Sequence, residues 1–413
     1  MPGPPIHYDV GMPSDPSPAK PNPGFAEFIT MMAMTMSLVA LAIDAMLPAH
    51  GLIGAEFAVA NSNDTQYIVY MVFMGLAVGQ LCFGPVADSI GRKPALYIGL
   101  AIFVTGTFVS LFATTFGAML FGRFLQGIGV AGPRTLTVAI VRDLFKGRQM
   151  ARVMSFVVTV FILVPAIAPS LGQLILNIAD WRKIFWSFLL LAGVIFLWFV
   201  FRQPETLMRA DRQPLLPGKI LRNFVAVLKT RAAVGYTLAG GLVSGAFVGF
   251  LGTAQQIFQQ QYGLAERFPH FFALLALSVG TSTLINGRIV VRFGMRPLAK
   301  LASVLLTVCA CALLAANIVW QGQPPLAVTM LGLMSVFLFI GFLFGNLNAL
   351  AMEPLGHIAG TAASAIGAAT TLISAILGTL VGAMYDGTTL AMAASFVLLG
   401  GLTALCIFAT DRD

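Results

Sequence analysis

Apolar stretches of about 20 residues follow one another along almost the whole chain, separated by short polar or Gly/Pro-containing breaks. Each is long enough to cross about 30 Å of hydrocarbon, and none has the period-two alternation of a barrel strand, so each is predicted to be a membrane-spanning helix. Twelve are predicted, over 26–48, 65–86, 94–114, 117–140, 152–176, 183–203, 232–252, 268–288, 298–320, 326–350, 360–383 and 389–409. The longest interior break, 204–231, divides them into an N-terminal bundle of six (25–203) and a C-terminal bundle of six (232–413). The halves echo one another: Gly91-Arg92-Lys93-Pro94 after the second stretch returns as Gly294-Met295-Arg296-Pro297 after the eighth, 203 residues later. The predicted fold class is an all-α membrane protein of twelve spans in two pseudo-symmetric six-helix bundles, an arrangement that places a substrate between the halves near the midplane.

Composition agrees. Of the 413 residues 58% are hydrophobic and 10% charged, against about 25% charged in an ordinary soluble domain. Residues 1–24, rich in Pro and poor in large apolar side chains, are predicted to be a disordered cytoplasmic tail and not a signal peptide. The net charge of +8 reports topology, not a nucleic-acid partner. Of the 24 Lys and Arg, only Arg182, Lys183 and Arg267 fall on the outer side and only Arg123 and Arg134 within the membrane, which puts both termini in the cytoplasm. Cys82, Cys309, Cys311 and Cys406 lie in apolar spans and read as small buried hydrophobes, and the four histidines are scattered, so neither a disulfide nor a metal site is expected.

The informative residues are ionisable ones at membrane depth, where each charge costs about 2.5–3.5 kcal/mol on insertion scales. Counted from Pro48 and Gly117 at 1.5 Å per residue, Asp44 and Arg123 lie roughly 6–10 Å inside the outer boundary, a matched depth that permits contact. Desolvation favours the neutral acid and a guanidinium favours the carboxylate, so motion that makes or breaks the contact would bind or release a proton; the alternative is a fixed structural ion pair. Gln126, about one turn along, is placed to share the network of Arg123. Arg134 follows Arg123 by eleven residues on nearly the same helix face, and either lines a central cavity or snorkels inward. Tyr67, Tyr70, Phe156, Tyr236, Phe247 and Asn346 are candidate cavity-lining side chains for a lipophilic ligand, or ordinary packing.

The sharpest motif is Gly84-Pro85-Val86-Ala87-Asp88-Ser89-Ile90-Gly91-Arg92-Lys93-Pro94. Gly91 permits a sharp turn, Pro94 suits the first turn of a helix, and Asp88 can meet a helix N-terminus and pair with a cation such as Arg142. The string resembles the signature loop of the major facilitator superfamily. Arg123-Phe124-Leu125-Gln126-Gly127-Ile128-Gly129-Val130-Ala131 is similar to its RxxQGxGxA pattern, and Ala168-Pro169-Ser170-Leu171-Gly172-Gln173 to the GPxxGG of its proton-driven exporters, with Ala168 and Gln173 in place of Gly. Asp44-Ala45-Met46-Leu47-Pro48, Val141-Arg142-Asp143-Leu144-Phe145, Trp181-Arg182-Lys183-Ile184-Phe185 and the run from Glu353 to Ala362 look like the bicyclomycin and chloramphenicol resistance branch of the twelve-span drug:proton antiporters.

The resemblance implies a proton-coupled exporter of small hydrophobic or amphiphilic compounds in a bacterial inner membrane. It implies Asp44 as proton carrier and Arg123 as its partner, with Gly84, Asp88, Gly91, Arg92 and Arg142 as a conformational latch. The expected partners are substrate, protons and lipid, for a chain that acts as a monomer with no cofactor. No phosphate-binding loop, nucleophile elbow or catalytic dyad is present in the sequence, so ATP-driven transport and enzyme activity have no support. Two other readings share the pattern: an uptake or facilitated-diffusion carrier on the same fold, and a receptor that binds without transporting.

Overall fold

The computed structural model describes residues 23–411. Among them are no strands, and twelve helices are long and apolar enough to cross a membrane. These are Phe25–Glu56, Ser62–Ile90, Arg92–Leu111, Phe116–Leu144, Arg152–Ile178 and Arg182–Arg202, then Arg231–Gln261, Phe268–Phe293, Met295–Val319, Leu326–Gly356, Ala359–Ala383 and Leu390–Thr410. The face carrying the basic loops is called the inner face below.

The packing repeats. In the first half the third span packs on the fourth, the second on the fourth, the first on the fourth, fifth and sixth, and the third on the sixth. Every one of these pairings recurs six spans later, and the seams between halves, second with eleventh and fifth with eighth, exchange under the same operation. Apolar area cannot drive helices together in lipid, so close approach of small residues does. A Cβ on Gly127 of the fourth span would come 2.1 Å from the Val72 carbonyl oxygen of the second, a contact only glycine allows.

The repeated loops are also built alike. Gly91 and Gly294 have φ of 108° and 81°, conformations that cost other residues dearly, and each hands its chain directly to the next helix. Beyond Gly91, Arg92 reaches Asp143 at the end of the fourth span at 2.8 Å; beyond Gly294, Arg296 reaches Glu353 at the end of the tenth at 3.2 Å. Each half is closed by a tie from its first helix to its last. Glu27 accepts two bonds from Arg202, at 2.6 and 2.5 Å, and Tyr236 donates to Asp411, which Lys300 approaches at 2.9 Å.

Two elements differ from expectation. The first span continues past Pro48, because Leu47–Ala49 forms one 3-10 turn that accepts proline early and the helix resumes over His50–Glu56. The linker contains a helix, Pro217–Lys229, which packs on the seventh and eleventh spans, with Asn223 donating to the Thr361 hydroxyl at 3.3 Å. The predicted tail falls almost wholly outside the described residues.

Candidate functional site

The polar interior of the first half is organised by Arg123, which is fully buried. The break at Leu47 leaves the last carbonyls of the preceding helix without intrahelical donors. Arg123 donates to one of them, Ala42, at 2.7 Å, to the Ile68 carbonyl of the second span at 3.1 Å, and to Gln126 at 2.7 Å. Gln126 donates in turn to the Thr107 hydroxyl at 2.8 Å, which donates to the Phe103 carbonyl at 2.7 Å. One guanidinium therefore joins the first, second and fourth spans, and the relay extends to the third. Gln126, expected in the cavity, is instead fully buried in this relay with its amide engaged at both ends.

Asp44 is not part of the network. The expected contact with Arg123 is absent: Asp44 is 5% exposed and has neither a hydrogen bond nor an ion pair among the described residues. The physical reason is that the guanidinium is already engaged: Arg123 spends its donors on the Ala42 and Ile68 carbonyls and on Gln126, although Ala42 stands only two residues before Asp44. Asp44 itself stands twelve residues, about 18 Å along the helix, before the end of its span at Glu56. Six residues beyond Asp44, His50 is fully buried with both ring nitrogens unpartnered. Arg134 is half-buried and likewise has no partner among the described residues.

Both ends of the second span are tied to the other half. At the outer end Gln66 donates to Gln256 at 2.5 Å, Gln256 to Asn63 at 2.8 Å, and Asn63 to the Tyr385 carbonyl at 2.8 Å. Tyr70 donates to Gln66 at 3.0 Å and is wedged against Gly252 and Gly382, where a Cβ would approach its hydroxyl oxygen to 2.1 and 2.0 Å. Further in, Thr371 donates to Gln80 at 3.1 Å and Gly84 lies against Ser364.

At the inner end Asp88 faces the first turn of the eleventh span, its Oδ2 within 3.5 Å of where a Cβ on Gly360 would stand, at the positive end of that helix. Asp88 also pairs with Arg92 at 2.5 Å, not with Arg142, which is exposed although its neighbour Asp143 meets Arg92. Arg92 bridges Asp88 and Asp143. The keystone of this cluster was not singled out by sequence: Glu205 of the linker accepts the backbone N–H groups of Arg92 and Lys93 at 2.9 and 3.0 Å and those of Thr206 and Leu207 at 2.9 and 3.0 Å. A glutamate in a polar loop carries no signal of that role.

The other candidate cavity residues divide. Tyr67 is half-buried and meets Tyr70 edge-on at the outer closure. Phe156 is 46% exposed and packs edge-on with Phe25. Tyr236, Phe247 and Asn346 turn inward to their own bundle: Tyr236 to Asp411, Phe247 to Phe337 and Phe344, and Asn346 to Asn286 through a reciprocal amide pair at 2.9 and 3.3 Å. Their polar atoms or rings find partners there, so the expectation that they line a cavity does not match their placement.

Comparison with known proteins gives a consistent picture. The sequence profile described as Major Facilitator Superfamily matches residues 24–379. The chain is 29% identical over 373 residues to the "Bicyclomycin resistance protein homolog" of Haemophilus influenzae, covering 88% of this chain and 91% of that protein. It is 28% identical over 314 residues to "Multidrug resistance protein MdtL" of Escherichia coli, covering 75% and 77%. Among solved structures it is similar in fold to the xylose transporter XylE from E. coli, with TM-score 0.73 at 15% identity over 93% of this chain and 97% of that one.

Proposed function

Since the chain belongs to the Major Facilitator Superfamily, a family of membrane transporters, we propose that it exports small lipophilic or amphiphilic compounds in exchange for inward-moving protons. The names borne by its bicyclomycin-resistance and multidrug-resistance relatives support the direction and the substrate class. The observation that carries the coupling is Asp44, a buried carboxyl about 18 Å from the outer end of its span with no counter-ion to hold it in one charge state. An acid so placed takes up and releases a proton as access to either side changes. Arg123 shapes the site by clamping the helices around it and does not serve as a switching partner. Residues 25–203 and 232–413 rock as two units, opening the Gln66–Gln256 tie or the contact of Asp88 with the first turn of the eleventh span in alternation, in a monomer with both termini on the cytoplasmic side of a bacterial inner membrane.

Everted vesicles provide the test. Addition of substrate to an exporter dissipates an imposed proton gradient, a uniporter leaves it unchanged, and a receptor accumulates nothing. Asp44→Asn is expected to abolish gradient-driven export while the protein still folds. Undiminished export by that variant would remove Asp44 as the carrier.

A further inference from the structure

Of the charged side chains in the twelve spans, those about two turns or more from either end are Asp44, Arg123 and Arg134, among the described residues. Their balance is positive even when Asp44 is ionised. Arg123 is spent on two carbonyls and a glutamine. Arg134 is not: it is half-buried, about 15 Å from the inner end of its span at Leu144, and none of its donors has an acceptor among the described residues. A bare guanidinium at that depth persists only where it faces water or a ligand.

Surrounding residues indicate an aqueous cavity. Arg134 shares the helix face of Arg123, turned to the interior of the bundle, and the exposed Val138 follows it by one turn. The tenth span, the counterpart of the fourth in the second half, exposes Gly345, Asn348 and Ala349 on one face seven or more residues from the span's inner end at Gly356. An exposed amide at that depth belongs to a water-filled space and not to lipid. The fourth and tenth spans share no extended packing. Among the described residues the second half contributes no acid at depth, and its buried amides Asn286 and Asn346 are locked together.

We propose that Arg134 is the recognition group for a negatively charged substrate, and that the compounds moved include small amphiphilic carboxylates. The planar guanidinium offers two parallel N–H donors to a carboxylate, while the apolar walls take the rest of the molecule. The proposal rests on the transport reading and adds a consequence: one carboxylate moved out for one proton moved in carries two positive charges inward, so its export responds to membrane potential. Export of a neutral compound by the same exchange carries one.

The test uses the full chain in proteoliposomes with three probes of one scaffold, a dansyl-labelled amino acid as free carboxylate, as neutral amide, and as an amide carrying a quaternary ammonium. The wild type is expected to bind the carboxylate at least tenfold more tightly than the neutral amide. Arg134→Gln is expected to erase that preference, and Arg134→Lys to keep part of it, with thermal unfolding confirming that each variant is folded. Equal affinity of the wild type for carboxylate and amide overturns the proposal, whatever the variants do, and so does a preference that survives in folded Arg134→Gln. Failure of the wild type to move any of the three probes under a proton gradient counts instead against the transport reading.

Discussion

Replacing Glu205 by Gln tests whether the linker is a working part of the inner latch. The glutamate carboxylate accepts four backbone N–H groups, two from the linker and two from the first turn of the third span. Gln keeps the shape and one acceptor oxygen, but turns an amide NH2 toward a backbone N–H, that of Lys93 if Oε1 keeps its partners, and removes the negative charge from a helix N-terminus. A mismatched donor in this part-buried site costs about 1–3 kcal/mol and the lost charge–dipole term about 0.3–1, so the expected destabilisation is about 1–4 kcal/mol. Arg92, whose own N–H is one of the four, would lose its fixed position between Asp88 and Asp143, and transport should slow with the loss of stability. Equilibrium unfolding in mixed micelles over a range of SDS mole fraction reads the stability, and drug-driven proton flux in everted vesicles reads the latch. A change below about 0.5 kcal/mol, the range of an ordinary surface substitution, together with normal flux, would show that Glu205 caps nothing of consequence.

Three further outcomes are expected. Burial pushes the Asp411 carboxyl up, but the hydrogen bond from Tyr236 and the Lys300 ammonium outweigh it and hold the group below the usual carboxylate range. Its folded-state value being depressed, its stabilisation is complete above the unfolded value of about 3.9 and is lost as pH falls through and below it, so the deficit of Asp411→Asn seen at pH 7 should shrink in acid; a deficit independent of pH refutes this. His50→Leu, which removes two buried unpartnered nitrogens, should raise stability by about 1–3 kcal/mol, and a loss of stability would mean that the ring has a partner in the membrane. Gly382→Ala would put a methyl 1.9 Å from Gln66 Oε1 and 2.0 Å from the Tyr70 hydroxyl oxygen, so electron–electron distance measurements between spin labels on the outer ends of the second and eleventh spans should lengthen; unchanged distances would mean the tie absorbs the methyl.

Much of this architecture was legible in the chain because hydropathy at membrane scale is a strong signal and the Gly91 and Gly294 loops announce the duplication. Helix ends were not. Pro48 reads as a terminus, yet a single 3-10 turn absorbs it and the helix runs on to Glu56, while the Ala42 carbonyl before that turn takes the guanidinium expected at Asp44. Contacts between distant segments were equally hidden: Gln66 and Gln256 stand 190 positions apart, and Tyr236 meets Asp411 across 175. Sequence identifies Arg123 as exceptional from its depth, but only the bend in the first span explains which carbonyls it serves.

The uneven placement of charge between the two bundles bears on how such a protein diversifies. After an ancestral duplication, the ionisable groups at depth stayed in one copy, while among the described residues the interior of the other carries amides and hydroxyls but no charge at depth. Under the proposed exchange, lineages can therefore remodel the second copy to admit new toxins while the proposed proton carrier in the first stays as it is, and resistance to an unfamiliar antibiotic should arise there first.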